Sequence, residues 1–121
     1  MNSGELKERT KRLAVRVIEF SGQLPFDDAS RIIRKQLIRS ATSVAANYRA
    51  ACRARSRSDF INKLGIVEEE ADETVFWLEM LEETRKASSE SLMPLKREFH
   101  ELTAIFTASR KTAKSNRSAQ S

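Results

Sequence analysis

A chain of 121 residues is one small domain, which excludes mechanisms that need two catalytic lobes. Hydrophobic residues make up 40% and charged residues 32%, too apolar for a disordered chain and too polar for a membrane protein. With three Gly and two Pro there are too few turn residues for an all-β sandwich or barrel.

One cysteine, Cys52, cannot form an internal disulfide, and one histidine, His100, cannot anchor the usual zinc sets. The N-terminal stretch MNSGELKERTKR is charged, and no run of 18 apolar residues follows it. The chain therefore reads as cytoplasmic, without metal, cofactor or membrane segment. Its net charge of +5 is unevenly spread. Residues 1–28 balance, residues 29–57 hold eight bases and no acid, and residues 58–86 hold three bases against nine acids. Residues 87–121 return to six bases against three acids.

In chain order, Leu6, Leu13, Val17 and Phe20 fall at helical spacing, which predicts a first helix over about residues 4–21. Gly22 is expected to end it in the left-handed conformation, and Pro25 prevents its resumption. Asp27 or Asp28 can cap a second helix, along which Ile33, Leu37, Ala41, Val44, Tyr48 and Cys52 form a stripe reaching about residue 54. Ser56 or Ser58 caps a third. Phe60, Leu64, Val67, Ala71, Thr74, Leu78 and Leu81 then alternate by four and three, a pattern that wants another helix against it. A polar break at residues 88–91 precedes a fourth stripe, Leu92, Leu95, Phe99, Leu102 and Phe106, with Pro94 read as a first-turn proline.

The economical arrangement is an all-α, up-and-down four-helix bundle over residues 1–111, followed by a disordered basic tail over residues 112–121. Helices two and three would form a long hairpin, with helices one and four shorter, near 20 residues. Val15, Ile32, Ile61, Ile66, Val75, Phe76 and Trp77 lie off the main stripes, which points to a homo-oligomer interface beyond the monomer core.

The run Gln36-Leu37-Ile38-Arg39-Ser40-Ala41-Thr42-Ser43-Val44-Ala45-Ala46-Asn47-Tyr48, between Ser21-Gly22-Gln23-Leu24-Pro25 and Ser58-Asp59-Phe60, resembles the bacterial four-helix bundle proteins encoded in 23S rRNA intervening sequences. The likeness continues through Lys63-Leu64-Gly65-Ile66-Val67-Glu68-Glu69-Glu70-Ala71-Asp72-Glu73 and Trp77-Leu78-Glu79, and covers about residues 5–110. Many relatives carry Glu-Gly where this chain has Arg49-Ala50, so its second helix is longer and more basic. Accessory proteins of diversity-generating retroelements are similar to this group, assembling as pentameric barrels that contact RNA and a reverse transcriptase. The resemblance thus implies a homo-oligomer, a pentamer, associated with RNA and with a partner protein such as a polymerase.

In an up-and-down bundle the start of helix one, the turn after helix two and the end of helix four share one end. That end collects Lys7, Arg9, Lys11 and Arg12, then Arg49, Arg53, Arg55 and Arg57, then Arg110, Lys111, Lys114 and Arg117. Such a rim suits phosphate backbones, and a solvated end is its bland reading.

Pairing helix two against helix three sets Arg39 level with Asp72 and Glu73, and Arg34 and Lys35 near Glu79. The acidic run from Glu68 to Glu73 reads as a salt-bridged face. Asn47, with Gln36 also beside a stripe, is expected to make an interhelical hydrogen bond that fixes register. Tyr48, Phe60 and Trp77 read as core or interface aromatics, Cys52 as a buried small hydrophobe, and His100 as a surface residue without a dyad partner. No catalytic residue is expected, and a small hydrolase or ribonuclease is the least supported class. The competing class is a protein-interaction scaffold whose acidic, apolar outer faces recruit an enzyme.

Overall fold

Each helix opens where a short polar side chain can accept its first orphan amide. Asn2 accepts from the Glu5 N–H at 2.9 Å, Asp27 from Ser30 at 2.7 Å, Ser56 from Asp59 at 3.1 Å and Ser88 from Ser91 at 3.1 Å. These caps begin α1 (Ser3–Ser21), α2 (Asp28–Cys52), α3 (Arg57–Glu83) and α4 (Ser89–Gln120) in the computed structural model. Residues 1–120 are described, with side chains to Asn116, and no strand occurs among them.

The termini depart from expectation at three places. Gly22 is right-handed, with φ −65° and ψ −16°; its N–H donates to the Ile18 and Glu19 carbonyls, and the next two amides bond three residues back. Helix α1 thus ends by tightening. The left-handed residue is Arg85, φ 59°, after α3. Lys86 N–H donates to the Leu81 carbonyl at 2.9 Å and Arg85 N–H to Glu82 at 3.0 Å, the paired bonds of a Schellman ending. Because a Cβ is strained there, Arg85→Gly is expected to stabilise the bundle by up to about 1 kcal/mol, read as a raised thermal midpoint.

Helix α4 is the longest of the four, 32 residues, and not one of the two shorter helices expected. Residues 112–116 continue it in place of a disordered tail. Ala113 lies seven residues beyond Phe106 and is buried on the same stripe, a small side chain that contributes little to hydropathy. Pro94 sits in the second turn of α4, not the first, because Ser88 caps the helix.

The four stripes meet in one core. Leu13, Val17, Leu37, Leu64, Val67, Leu78, Leu81, Leu92, Phe99, Leu102 and Phe106 are within 2% of complete burial, while Phe20, Cys52 and Phe60 are half-buried at its margin. Ile61 and Val75 are also buried, because α3 lies between α2 and α4 and loses two flanks to them. Val15, Ile32, Ile66 and Phe76 remain exposed, and Trp77 is half-buried with its ring edge-on to Phe76 at 4.9 Å.

The polar cross-links differ from those expected. Asn47 donates to the Ser43 carbonyl at 2.9 Å and to Ser43 Oγ at 2.8 Å, one turn back in its own helix, so it ties no second helix. Register is carried instead by fully buried Ser40 and Thr74, whose hydroxyls bond at 2.8 Å between α2 and α3. Gln36 likewise stays local, accepting from Arg39 Nε at 3.2 Å. Arg39 pairs with Glu70 at 3.2 Å and with Glu73; Asp72, one position off that face, points to solvent. Arg34 does not meet Glu79. It donates to the Ser21 carbonyl at 3.1 Å and the Pro25 carbonyl at 3.4 Å, tying α2 to the α1–α2 loop, and its guanidinium lies over the Phe26 ring, 6.0 Å from the centroid.

Candidate nucleic-acid interface

The antiparallel order of the helices brings the start of α1, the α2–α3 turn and the last turns of α4 to one end. A groove of about 920 Å³ there is lined by Ser3, Ser56, Arg57 and Asn116, with Tyr48, Phe60 and Ala113 deeper in. The expected convergence is therefore present, but the cations divide into those with intrachain partners and those without.

Arg9 belongs to the first kind. Its guanidinium reaches Glu98 at 2.5 Å and Glu101 at 3.1 Å on α4, and the side chain is only 18% exposed. Hydrogen bonding to Glu98 raises the Arg9 pKa, and the same bond holds Glu98 below its usual carboxylate range. Arg9 thus closes the bundle between α1 and α4, which otherwise touch little. Arg110 is committed in the same way: Nε and Nη2 grip both oxygens of Glu68, at 2.5 and 3.1 Å, and Thr107 donates to the same carboxylate. A charge already neutralised by a bidentate partner offers little to a phosphate. Both residues leave the basic rim.

Glu98 titrates in a defined direction. A carboxylate with a depressed folded pKa stabilises the fold above its unfolded value, about 4.3, and loses that contribution as pH falls through the lower folded value. Glu98→Gln is expected to cost about 1 kcal/mol near neutrality, and its thermal midpoint should converge on that of the wild type as pH falls below about 4.

The second kind gathers between α1 and α2. A groove of about 730 Å³ is walled by Lys7, Lys11, Arg49 and Arg53, with Glu8 the one acid among its lining residues. Its floor is Ala14, Val15, Ile18, Ala45 and Ala46. All four cations are exposed, and none makes an ion pair among the described residues. They share a face because Lys7 and Lys11, and Arg49 and Arg53, are each four apart, one helical turn. Arg49 and Arg53 also suit the negative end of the α2 dipole.

Around the turn, Arg55 and Arg57 are exposed; Arg55 lies beside Asp59, whose carboxyl is held below its usual range chiefly by Lys63. Arg49, Arg53, Arg55 and Lys63 line the adjoining α2–α3 depression. Arg12 lies toward the start of α1 with Glu5 and Glu8. Lys111 and Lys114 are exposed on α4, where Lys114 and Arg110 border Glu69 over α3, so the structure does not join them to the α1–α2 groove. The side chain of Arg117 lies outside the described residues.

Tyr48 packs its ring on Phe106, centroids 5.4 Å apart, and burial, then Cys52, pushes its phenol well above the usual range. It is a core residue at the base of the end groove that Ser56, Arg57 and Asn116 line. His100 is exposed on α4, and among the described residues no three His, Cys, Asp or Glu side chains converge on a metal-sized site. No helix is long and apolar enough to cross a membrane among those described. Sequence reasoning missed Lys63 and the apolar floor; Val15 beside Lys11 was the available signal.

The sequence profile described as "23S rRNA-intervening sequence protein" matches residues 4–108. A crystal structure from Bacteroides thetaiotaomicron, a protein with unknown function from the S23 ribosomal protein family, is similar at 34% identity and a TM-score of 0.85. The match covers 92% of this chain and 99% of that one. Among curated proteins, none matches.

Proposed function

We propose that this chain, which belongs to the 23S rRNA-intervening sequence protein family, is a non-enzymatic cytoplasmic homo-oligomer that binds structured RNA or a ribonucleoprotein through its α1–α2 groove. The observation that carries this reading is the set Lys7, Lys11, Arg49 and Arg53, four cations around one groove with no ion pair among the described residues. Cations held close together and unneutralised are what a phosphate backbone exchanges for its condensed counterions. The apolar floor and backbone-directed charge favour shape over base sequence. Five copies, the number the retroelement accessory proteins imply, would repeat the groove around a ring and raise avidity without new contacts.

The test is binding of a structured RNA across a salt series, with oligomeric mass recorded on the same sample. The expected result is a linear fall of log affinity with log salt concentration, losing several orders of magnitude for six to ten phosphate contacts over about 50 to 200 mM salt. No binding by intact protein at low salt would remove the RNA reading.

A second reading has its own observation. The solvent face of α3 carries exposed Ile66 and Phe76 among acids, the surface of a scaffold that recruits a protein such as a polymerase. Charge substitutions on that face would then abolish function while RNA binding stood.

A further inference from the structure

The two grooves at the basic end are lined by different chemistry. The α1–α2 groove has four cations on its walls, whereas the end groove between α2, α3 and α4 has a single charged lining residue, Arg57. Its other polar side chains are neutral: Ser3, Ser56, Ser109, Thr112 and Asn116. Ser56 is engaged in capping α3, but the other four make no side-chain hydrogen bond among the described residues. Hydroxyls and a carboxamide can each donate and accept, so they suit a ligand whose edge carries both kinds of group. Below them the lining is apolar and aromatic, with half-buried Phe60 beside buried Ala51 and Ala113.

The grooves adjoin. Ser3 lines the end groove, and the next residues along α1 to line a groove, Gly4 and Lys7, line the α1–α2 groove. On α2, Tyr48 and Cys52 line the first, while Arg49 and Arg53, one position on in each case, line the second. What separates them is the last part of one helix, about 10–12 Å across with its side chains. A backbone held by Lys7, Lys11, Arg49 and Arg53 therefore lies one helix width from the end groove. At about 920 Å³ that groove is within the range of about 300–1,000 Å³ that accommodates a small-molecule-sized group, and far too small for a duplex. A paired base could not use it, because pairing occupies the edge and stacking covers the faces.

We infer that the end groove takes the base of one unpaired nucleotide, its face on the Phe60 ring and its edge toward Thr112 and Asn116, while the α1–α2 cations hold the adjoining phosphates. The inference rests on the RNA reading of the proposed function and deepens it: the favoured RNA is a hairpin interrupted by an unpaired nucleotide, not a continuous duplex. Phosphate contacts position such an RNA, and the base contact selects it.

The experiment measures binding of the full chain to three RNA hairpins alike except at one position, which is paired, bulged with the fluorescent base aminopurine, or bulged but abasic. The wild type is expected to bind the aminopurine hairpin at least about fivefold more tightly than the other two, the effect of one stacked base, with a change in its fluorescence. Ala108→Trp, which fills the groove from an exposed position, should abolish this advantage. Thr112→Val/Asn116→Ala, also at exposed positions, should reduce it at least about twofold. Both variants should bind the paired hairpin with unchanged affinity and salt dependence. Failure of all three hairpins to bind the wild type at low salt would overturn the RNA reading and this inference together. Equal affinity for the aminopurine and abasic hairpins, or an advantage that survives both variants, would overturn this inference alone. So would free adenosine monophosphate bound as tightly as the aminopurine hairpin, since the groove would then be a free-nucleotide site. Should Ala108→Trp lose helicity, the double variant decides.

Discussion

Arg49→Glu/Arg53→Glu is expected to weaken RNA binding by at least about 100-fold at low salt and to flatten the salt dependence by nearly two log units per bound groove. Each reversal removes a cation that would displace one counterion and sets an anion facing the phosphates, so loss of attraction and added repulsion act together. The fold should survive. Both side chains are exposed, neither makes an ion pair among the described residues, and the cost is confined to about 0.3–1 kcal/mol each for an acid near the α2 C-terminus. Arg85→Glu/Arg97→Glu supplies the control: it changes net charge equally, on exposed residues away from the groove. Equal weakening in both variants would mean that overall charge and not the groove binds RNA; no weakening in the first would move the site elsewhere. Arg9 and Arg110 make a complementary pair of probes. Because each is spent on a carboxylate, Arg110→Gln should lower stability through Glu68 while leaving the salt slope almost unchanged.

The reason those two arginines were misplaced is also the reason the fold was readable. Core stripes are a local property: Leu64, Val67, Ala71, Thr74, Leu78 and Leu81 reveal themselves by spacing along one helix, and all are buried. The partner of Arg9 is 89 residues away and that of Arg110 is 42 away, so no periodicity distinguishes a spent cation from an available one. Polar residues on a stripe pose the same difficulty. Asn47 draws attention in sequence and Ser40 does not, yet the longer amide reaches back to its own Ser43, while the short Ser40 hydroxyl is left to meet Thr74 across the interface. The helical course of residues 112–116 is not legible because Ala113 carries too little hydrophobicity to extend a stripe visibly, although its methyl is buried in the groove that Tyr48 and Phe60 also line. The basic end was legible as a count of charges, but its shape depended on which neighbours α4 presented.

Phe106→Ala is expected to destabilise the bundle by about 3–5 kcal/mol, the largest effect of any single substitution considered. Phe106 is completely buried, and its ring is the tilted partner of Tyr48 on α2, so truncation removes apolar burial and an aromatic contact and leaves a void beside Tyr48. Tyr48 offers a direct readout because it is the chain's one tyrosine, so ultraviolet absorbance follows a single phenol. In the wild type, burial first and Cys52 second keep that phenol from ionising until well above its usual range. A raised folded pKa stabilises the fold below the unfolded value, about 10, and the contribution is lost as pH rises toward the folded value. Water entering the Phe106 void should lower the phenol's titration toward about 10 and flatten the alkaline fall in stability. A variant that is destabilised but titrates like the wild type would place the void away from Tyr48. A variant with wild-type stability would mean that α4 does not pack on α2 through this pair.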